Sequence, residues 1–144
     1  MPFVENVSRD AIEKGLHHGF NYDKDLLIQI TDPDSEFPIP KYEFKNVVQF
    51  KFFDSEEEDG PTDQQALEIS TQILLAFNRG QNILVHCQAG LCRSGAVAEV
   101  AIMLGFTEVH KRRWPNRRLG KQLCKWLHLP QMTERDYEEV FENS

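Results

Sequence analysis

The stretch NILVHCQAGLCRSGAVAEVAIMLGF, residues 82–106, decides the fold. It begins with a short run of aliphatic and β-branched side chains, which is typical of a buried strand, and it ends as a largely apolar helix that stops at Gly105. Between the strand and the helix come a thiol, a glycine-containing loop, a guanidinium and a hydroxyl, in the order Cys87, Gly90, Arg93 and Ser94. A buried cysteine alone is ordinary, but this order of groups indicates a functional site.

The rest of the chain alternates strand-like and helix-like segments in the same way. DLLIQITDP and FKNVVQFKFF predict two further strands, and TDQQALEISTQILLAFNRG predicts a helix capped by Thr62 or Asp63 and ended by Gly80. FVENVSR favours an edge strand, with a short helix over RDAIEKGLHHG, and more helices are predicted near residues 118–127 and 134–142. The pattern indicates an α/β fold: a central, mainly parallel sheet of about four to five strands with helices on both faces.

The bulk properties describe a single domain over residues 1–144, with 40% hydrophobic and 27% charged residues. No apolar run is long enough to span a bilayer, and the N-terminus lacks the pattern of a secretion signal. Three cysteines without an export signal predict reduced thiols and a cytoplasmic location. The net charge of −7 makes nucleic acid an unlikely partner, although basic residues concentrate in HKRRWPNRRLGK.

The loop HCQAGLCRSG lies at the carboxyl end of its predicted strand, where open parallel sheets bind ligands. Its backbone N–H groups, converging at a helix N-terminus, can hold the three oxygens of a phosphate. The residues expected to bind phosphate in this way are Gln88, Ala89, Gly90, Leu91, Cys92 and Arg93.

The side chains of this loop add the means for phosphoryl transfer. The Arg93 guanidinium can bind two phosphate oxygens at once. The positive surroundings favour the thiolate of Cys87, which is a nucleophile for phosphorus. Ser94 can donate a hydrogen bond to the sulfur, and His86 is expected to orient the loop from behind.

VHCQAGLCRSG resembles the His-Cys-x5-Arg-Ser/Thr phosphate loop of the protein tyrosine phosphatase superfamily. The chain is most similar to its dual-specificity and small microbial or phage branch, since LLIQITDPD resembles an early central strand and WPNRRLGKQL the Pro-Asn segment and the helix after it. The resemblance covers about residues 25–127. It implies hydrolysis of phosphotyrosine, and in some members of phosphoserine and phosphothreonine, in protein substrates through a phosphocysteine intermediate, without a metal or organic cofactor.

The resemblance also requires a general acid, an aspartate on a mobile loop upstream of the cysteine. Asp54 follows a predicted strand at a spacing close to that of dual-specificity members, so we expect it to be the acid, with Asp59 second. Asp63 is expected to cap a helix instead. The Trp-Pro-Asp triplet of the large tyrosine phosphatases is absent. Asn116 matches the Pro-Asn segment and is expected to hydrogen-bond beneath the phosphate loop.

Several alternatives stay open at this stage. Cys92 is either a small apolar wall residue or, under oxidation, the disulfide partner of Cys87. The same loop can serve a phosphoinositide or an RNA 5′-triphosphate, or it can bind phosphopeptides without turnover. The basic segment either steers a phosphorylated partner or forms a solvated face, through Arg112, Arg113, Arg117 and Arg118. The histidines and Cys124 lack metal-ligand spacing, so no metal site is predicted.

Overall fold

The computed structural model describes residues 1–128. Its strands are β1 (Phe3–Ser8), β2 (Leu26–Thr31), β3 (Asn46–Lys51), β4 (Ile83–Cys87) and β5 (Thr107–Glu108). Its helices are α1 (Arg9–Lys14), α2 (Asp63–Arg79), α3 (Arg93–Leu104) and α4 (Arg117–Trp126). The helix predicted near residues 134–142 lies outside the described residues. Between residues 1 and 128, no helix is both long and apolar enough to cross a membrane.

The five strands form one parallel sheet in the order β3-β2-β4-β1-β5. This architecture confirms the predicted α/β fold. β4 is the central strand and is buried along its whole length. Because the strands are parallel, their carboxyl ends meet at one edge, where Ser8 lies opposite Cys87. The ends of β2 and β3 reach the same edge, with Thr31 opposite Lys51.

The prediction of an edge position for the first strand was wrong. β1 lies between β4 and β5, although β5 pairs only with Phe3 and Val4. A strand of two residues carries no alternating pattern that the sequence could reveal, and that is why β5 was not foreseen.

One face of the sheet is covered by α2, α3 and α4. α2 begins with a capping box, in which Thr62 Oγ1 accepts from Gln65 N and Gln65 Oε1 accepts from Thr62 N. The helix ends at Gly80, as its sequence predicts. Four of its apolar residues recur at helical spacing and are fully buried in the core, namely Ala66, Ile69, Ile73 and Ala76.

The other face is covered by α1 and by an aromatic cluster from the two loops that flank β2. His17 is almost fully buried among Phe20, Tyr22, Tyr42 and Phe44. Burial lowers the pKa of His17, which is consistent with a neutral ring at this position. Both faces are therefore closed, and the carboxyl edge of the sheet is left to carry a site.

Candidate active site

The loop between β4 and α3, residues 88–92, is held in place by hydrogen bonds to its carbonyl oxygens. Gln88 O accepts from Arg9 N at 3.1 Å, Leu91 O from Trp114 N at 3.0 Å, and Cys92 O from Asn116 N at 2.9 Å. Gly90 O accepts from the side chain of the buried Asn6 at 2.8 Å. Four oxygens of the loop are thus held by the surrounding frame.

The N–H groups of the same loop are used differently. Within the described part of the chain, none of the backbone N–H groups of residues 88–92 donates to a protein acceptor. Backbone N–H groups are strong donors, so those that the protein itself does not bond are available to a bound anion. The carbonyl oxygens of this loop bond to the surrounding protein, while its N–H groups do not. A loop of this kind directly before the first turn of α3 is suited to bind an anion.

Gly90 makes this loop conformation possible. Its φ is +76°, in the left-handed region, and a Cβ there would lie 2.5 Å from the carbonyl carbon of Val7 and 2.6 Å from Ser8 N. Any side chain would therefore collide with the end of β1. The glycine in the middle of the motif is explained by this close approach.

Cys87 is the last residue of β4 and is 3% exposed. Its Sγ lies 3.1 Å from Ser94 Oγ, which belongs to the first turn of α3 and is fully buried. The structure therefore brings these two predicted site residues together. The hydroxyl can donate to a thiolate at this position, because a negative sulfur is a better acceptor than a thiol.

Arg93 is buried, and one of its nitrogens is anchored. Nη1 donates to Asp32 Oδ1 at 2.7 Å and to Phe52 O at 2.8 Å. The Nε atom is buried without a protein partner in residues 1–128. Anchoring one side of the guanidinium fixes its plane and leaves the Nε edge available for a bound oxyanion.

Asp32 was missed by the sequence analysis. Its carboxylate is 38% exposed and forms the ion pair with Arg93. The signal available in the sequence was its position directly after β2, at the same sheet edge as Cys87. An aspartate before a proline is also a common turn residue, so this position alone did not indicate a partner for Arg93.

Asp54 is connected to the loop of residues 88–92 through Asn116. Asn116 Nδ2 donates to Asp54 Oδ1 at 2.9 Å and to Ser55 O at 3.1 Å. The backbone N of Asn116 donates to Cys92 O, and its Oδ1 caps α4 by accepting from Leu119 N at 2.9 Å. Asn116 thus contacts both the loop and Asp54, and the contact with Asp54 is one that the sequence did not suggest.

Cys92 lies beside Asp54. Burial, and then the charge of the Asp54 carboxylate and a hydrogen bond between the two side chains, raise the pKa of the Cys92 thiol to about 11. A thiol with this pKa stays neutral near pH 7 and can donate to the carboxylate. This contact gives Cys92 a role that neither of its two sequence-based interpretations included.

The other two candidate acids lie elsewhere. Asp59 accepts a hydrogen bond from Ser55 Oγ at 2.6 Å within its own exposed loop. Asp63 is the first residue of α2 and accepts from Gln122 Nε2 at 3.1 Å. Of the three aspartates, only Asp54 is connected to the phosphate-binding loop by the hydrogen bonds described.

His86 is fully buried behind the loop, and its Nδ1 lies 3.4 Å from Cys87 O. Its Nε2 has no protein partner among the described residues. Burial lowers the pKa of His86 to about 4. A neutral ring in contact with the cysteine backbone fits an orienting position rather than proton transfer near pH 7.

The low pKa of His86 predicts a loss of stability in acid. Between the unfolded value of 6.5 and the folded value of about 4, the unfolded chain binds a proton that the folded chain does not. The free energy of unfolding therefore decreases as the pH is lowered from 6.5 to about 4, by on the order of 3 kcal/mol over the whole window. Urea unfolding at about pH 7 and about pH 4.5 should show a smaller loss for His86→Asn than for the parent. An equal loss of unfolding free energy in the parent and in His86→Asn would contradict this prediction.

The basic segment is only partly exposed to partners. Arg113 is 6% exposed at its side chain and pairs with Glu99 at 2.6 Å and with Glu108. A steering role for Arg113, which the sequence left open, is therefore wrong, because its charge is neutralised inside the protein. Arg112 is exposed and stacks over the Trp114 ring, with 4.3 Å between its guanidinium carbon and the ring centre.

Comparison with known proteins gives one sequence match of high coverage. No protein-family model matches the chain. A protein of Invertebrate iridescent virus 6 that is named as a tyrosine phosphatase, 123R, is 32% identical over 139 residues. The match covers 87% of this chain and 92% of the viral protein.

Solved structures share the fold at lower identity. The human tyrosine phosphatase-like serine/threonine/tyrosine-interacting protein aligns with a TM-score of 0.62 and 18% identity, over 92% of this chain and 95% of that one. Human DUSP28 aligns with a TM-score of 0.53 and 16% identity, over 99% and 96% of the two chains. At these identities the structural likeness concerns the fold alone, and family membership depends on the sequence match.

Proposed function

Since the chain belongs to the protein tyrosine phosphatase superfamily and is a cysteine-dependent phosphatase, we propose that it hydrolyses phosphotyrosine in protein substrates through a phosphocysteine intermediate. The resemblance predicted from VHCQAGLCRSG is thereby confirmed at the level of the family. The observation that carries the proposal is the phosphate-binding loop, whose carbonyl oxygens are bonded outward while its N–H groups have no protein acceptor between residues 1 and 128.

In the first step, substrate phosphate binds above Cys87. The loop N–H groups and the Nε edge of Arg93 hold its oxygens. Cys87 Sγ attacks phosphorus, so that an S–P bond forms while the bond from phosphorus to the tyrosine oxygen breaks. Asp54 donates a proton to the leaving phenolate, which departs as the neutral tyrosine.

In the second step, water replaces the thiolate on phosphorus. Asp54, now ionised, accepts a proton from the attacking water. The S–P bond breaks, the electron pair returns to sulfur, and the Ser94 hydroxyl, 3.1 Å from Sγ, stabilises the thiolate by donating to it. Inorganic phosphate leaves and the enzyme returns to its starting state.

The proposed substrate class is tested by comparing phosphate release from a phosphotyrosine peptide, a phosphoserine peptide, a phosphoinositide and a 5′-triphosphorylated RNA. We expect the phosphotyrosine peptide to have the highest kcat/KM, by at least about tenfold over the phosphoserine peptide, because the phosphate of tyrosine stands further from the peptide backbone. A higher kcat/KM on the lipid or the RNA would assign the site to that substrate instead. Tight binding of the peptide without phosphate release would indicate a non-catalytic binding protein.

A cytoplasmic location is proposed together with this function. The three cysteines, Cys87, Cys92 and Cys124, are free thiols in the structure. A mechanism that depends on a thiolate needs a reducing compartment to keep it active.

A further inference from the structure

The loop that carries Asp54 is joined to the start of α4 by an ion pair, Glu56–Arg117, which we call the clasp. Arg117 Nε and Nη2 donate to Glu56 Oε2 at 2.9 Å and 2.6 Å. The backbone N of Arg117 donates to Glu56 Oε1 at 3.1 Å. A carboxylate that accepts from a guanidinium fork and from a backbone N–H is held in a defined orientation.

Further hydrogen bonds join the same loop to the same helix. Asn116 donates to Asp54 and to Ser55 O, and Arg118 Nε donates to Pro61 O at 3.0 Å. Both ends of the loop, residues 54–61, are therefore connected to the first turn of α4. Because Asn116 N also donates to Cys92 O, the start of α4 links the Asp54 loop to the phosphate-binding loop.

The loop itself is compact. Ser55 Oγ donates to Asp59 Oδ1, and Gly60 N donates to Glu57 O at 3.0 Å. A Cβ on Gly60 would collide with Ser55 O. These contacts make the loop a compact unit, and the hydrogen bonds to the first turn of α4 position this unit on the protein.

The charge of the loop makes the clasp necessary. SEEED, residues 55–59, places four acidic side chains in sequence on an exposed surface directly after Asp54. Like charges repel one another and the incoming substrate. Arg117 neutralises the charge of Glu56. The hydrogen bonds from the Arg117 side chain lower the pKa of Glu56, so the pair is ionised near pH 7.

We infer that the Glu56–Arg117 clasp holds the Asp54 loop over the phosphate-binding loop before substrate arrives, so that Glu56 and Arg117 are positioning residues for the proton donor. The inference rests on the proposed function and deepens it. It also departs from the resemblance, which implied a mobile loop for the general acid. A donor fixed in advance does not have to be brought into place during each turnover.

The test separates proton donation from the other steps by comparing two aryl phosphates. The 4-nitrophenolate of 4-nitrophenyl phosphate is a stable leaving group and needs little protonation, whereas the phenolate of phenyl phosphate, like that of tyrosine, needs a proton. We expect Arg117→Gln, in the full chain, to lower kcat about tenfold on phenyl phosphate and no more than about twofold on 4-nitrophenyl phosphate. A purely structural role would lower both equally.

Matched variants serve as controls. Glu56→Gln should show the same selective loss in weaker form. Glu57→Gln makes the same change at the next position, whose side chain forms no hydrogen bond or ion pair with residues 1–128, and should show none. Thermal unfolding of each variant identifies any loss of fold, and Glu56→Gln keeps the test valid if Arg117→Gln is unstable.

The outcomes distinguish the two proposals. Suppose that Asp54→Asn lowers kcat selectively on phenyl phosphate. If Arg117→Gln and Glu56→Gln then lower kcat equally on both substrates, or change it on neither, the clasp is overturned and the proposed function stands. If Asp54→Asn is itself not selective, the assignment of Asp54 as the acid fails, and the clasp fails with it.

Discussion

Cys87→Ser is expected to lower kcat on phosphotyrosine by about 10⁵-fold while leaving substrate binding intact, as removal of a catalytic nucleophile does in other enzymes. A serine hydroxyl is not ionised near pH 7, and Asp54 cannot activate it, because Asp54 has to be protonated as the proton donor when the nucleophile attacks. The groups proposed to bind phosphate are unchanged by the substitution. The variant should therefore retain a phosphotyrosine peptide without releasing phosphate.

The measurement is single-turnover phosphate release, together with peptide binding by calorimetry. Cys124→Ser is the matched control, because Cys124 is a fully buried thiol of α4 whose sulfur, among residues 1–128, donates a hydrogen bond to Met103 Sδ at 3.9 Å and none to the loop. It should lose some stability and keep its kcat within about twofold. Turnover that persists in Cys87→Ser would exclude the phosphocysteine mechanism.

The fold was predictable because its strongest signals are local. β4 and α3 are each read from the side chains of one short segment, and the caps at Thr62 and Gly80 give the bounds of α2 directly. The five residues between Cys87 and Arg93 predict a short loop before a helix, and such a loop brings the two residues together at the N-terminus of that helix. This part of the site is local in sequence, and so it was predictable with the fold.

The rest of the site depends on contacts between distant residues. Asp32 reaches Arg93 across 61 positions, and Asn116 reaches Asp54 across 62. Neither pair leaves a periodic pattern, and each partner alone has an ordinary explanation as a turn or cap residue. The burial of Arg113 was also missed, although Glu99 and Glu108 are only 14 and 5 positions away, because neither ion pair follows from a periodic pattern in the sequence.

In the proposed mechanism, each of these distant contacts fixes the orientation of a functional group. Asp32 fixes the guanidinium that holds phosphate, and Asn116 fixes the carboxylate that donates the proton. The same Arg93 nitrogen also donates to Phe52 O, and the backbone N of Asn116 donates to Cys92 O. The sequence motif specifies the reacting groups, and the tertiary contacts specify their orientation.

Asp54→Asn is expected to lower kcat on a phosphotyrosine peptide by about 10²- to 10³-fold, the usual contribution of a general acid. Asparagine keeps the shape of the side chain and can still accept from Asn116, so the loop should stay in place while the proton is lost. On 4-nitrophenyl phosphate, whose leaving group needs little protonation, the loss should be much smaller.

Asp59→Asn provides the matched control for this prediction, because it makes the same change five positions later in the same loop. Asp59 accepts only from Ser55 in the hydrogen bonds described, and it has none to Asn116 or to the phosphate-binding loop. Its replacement should leave kcat on the phosphotyrosine peptide within about threefold of the parent, since it only loosens one exposed hydrogen bond. A large loss in Asp59→Asn with little change in Asp54→Asn would reassign the acid to Asp59. Comparable losses in both would instead show that the loop is needed only as a structural unit.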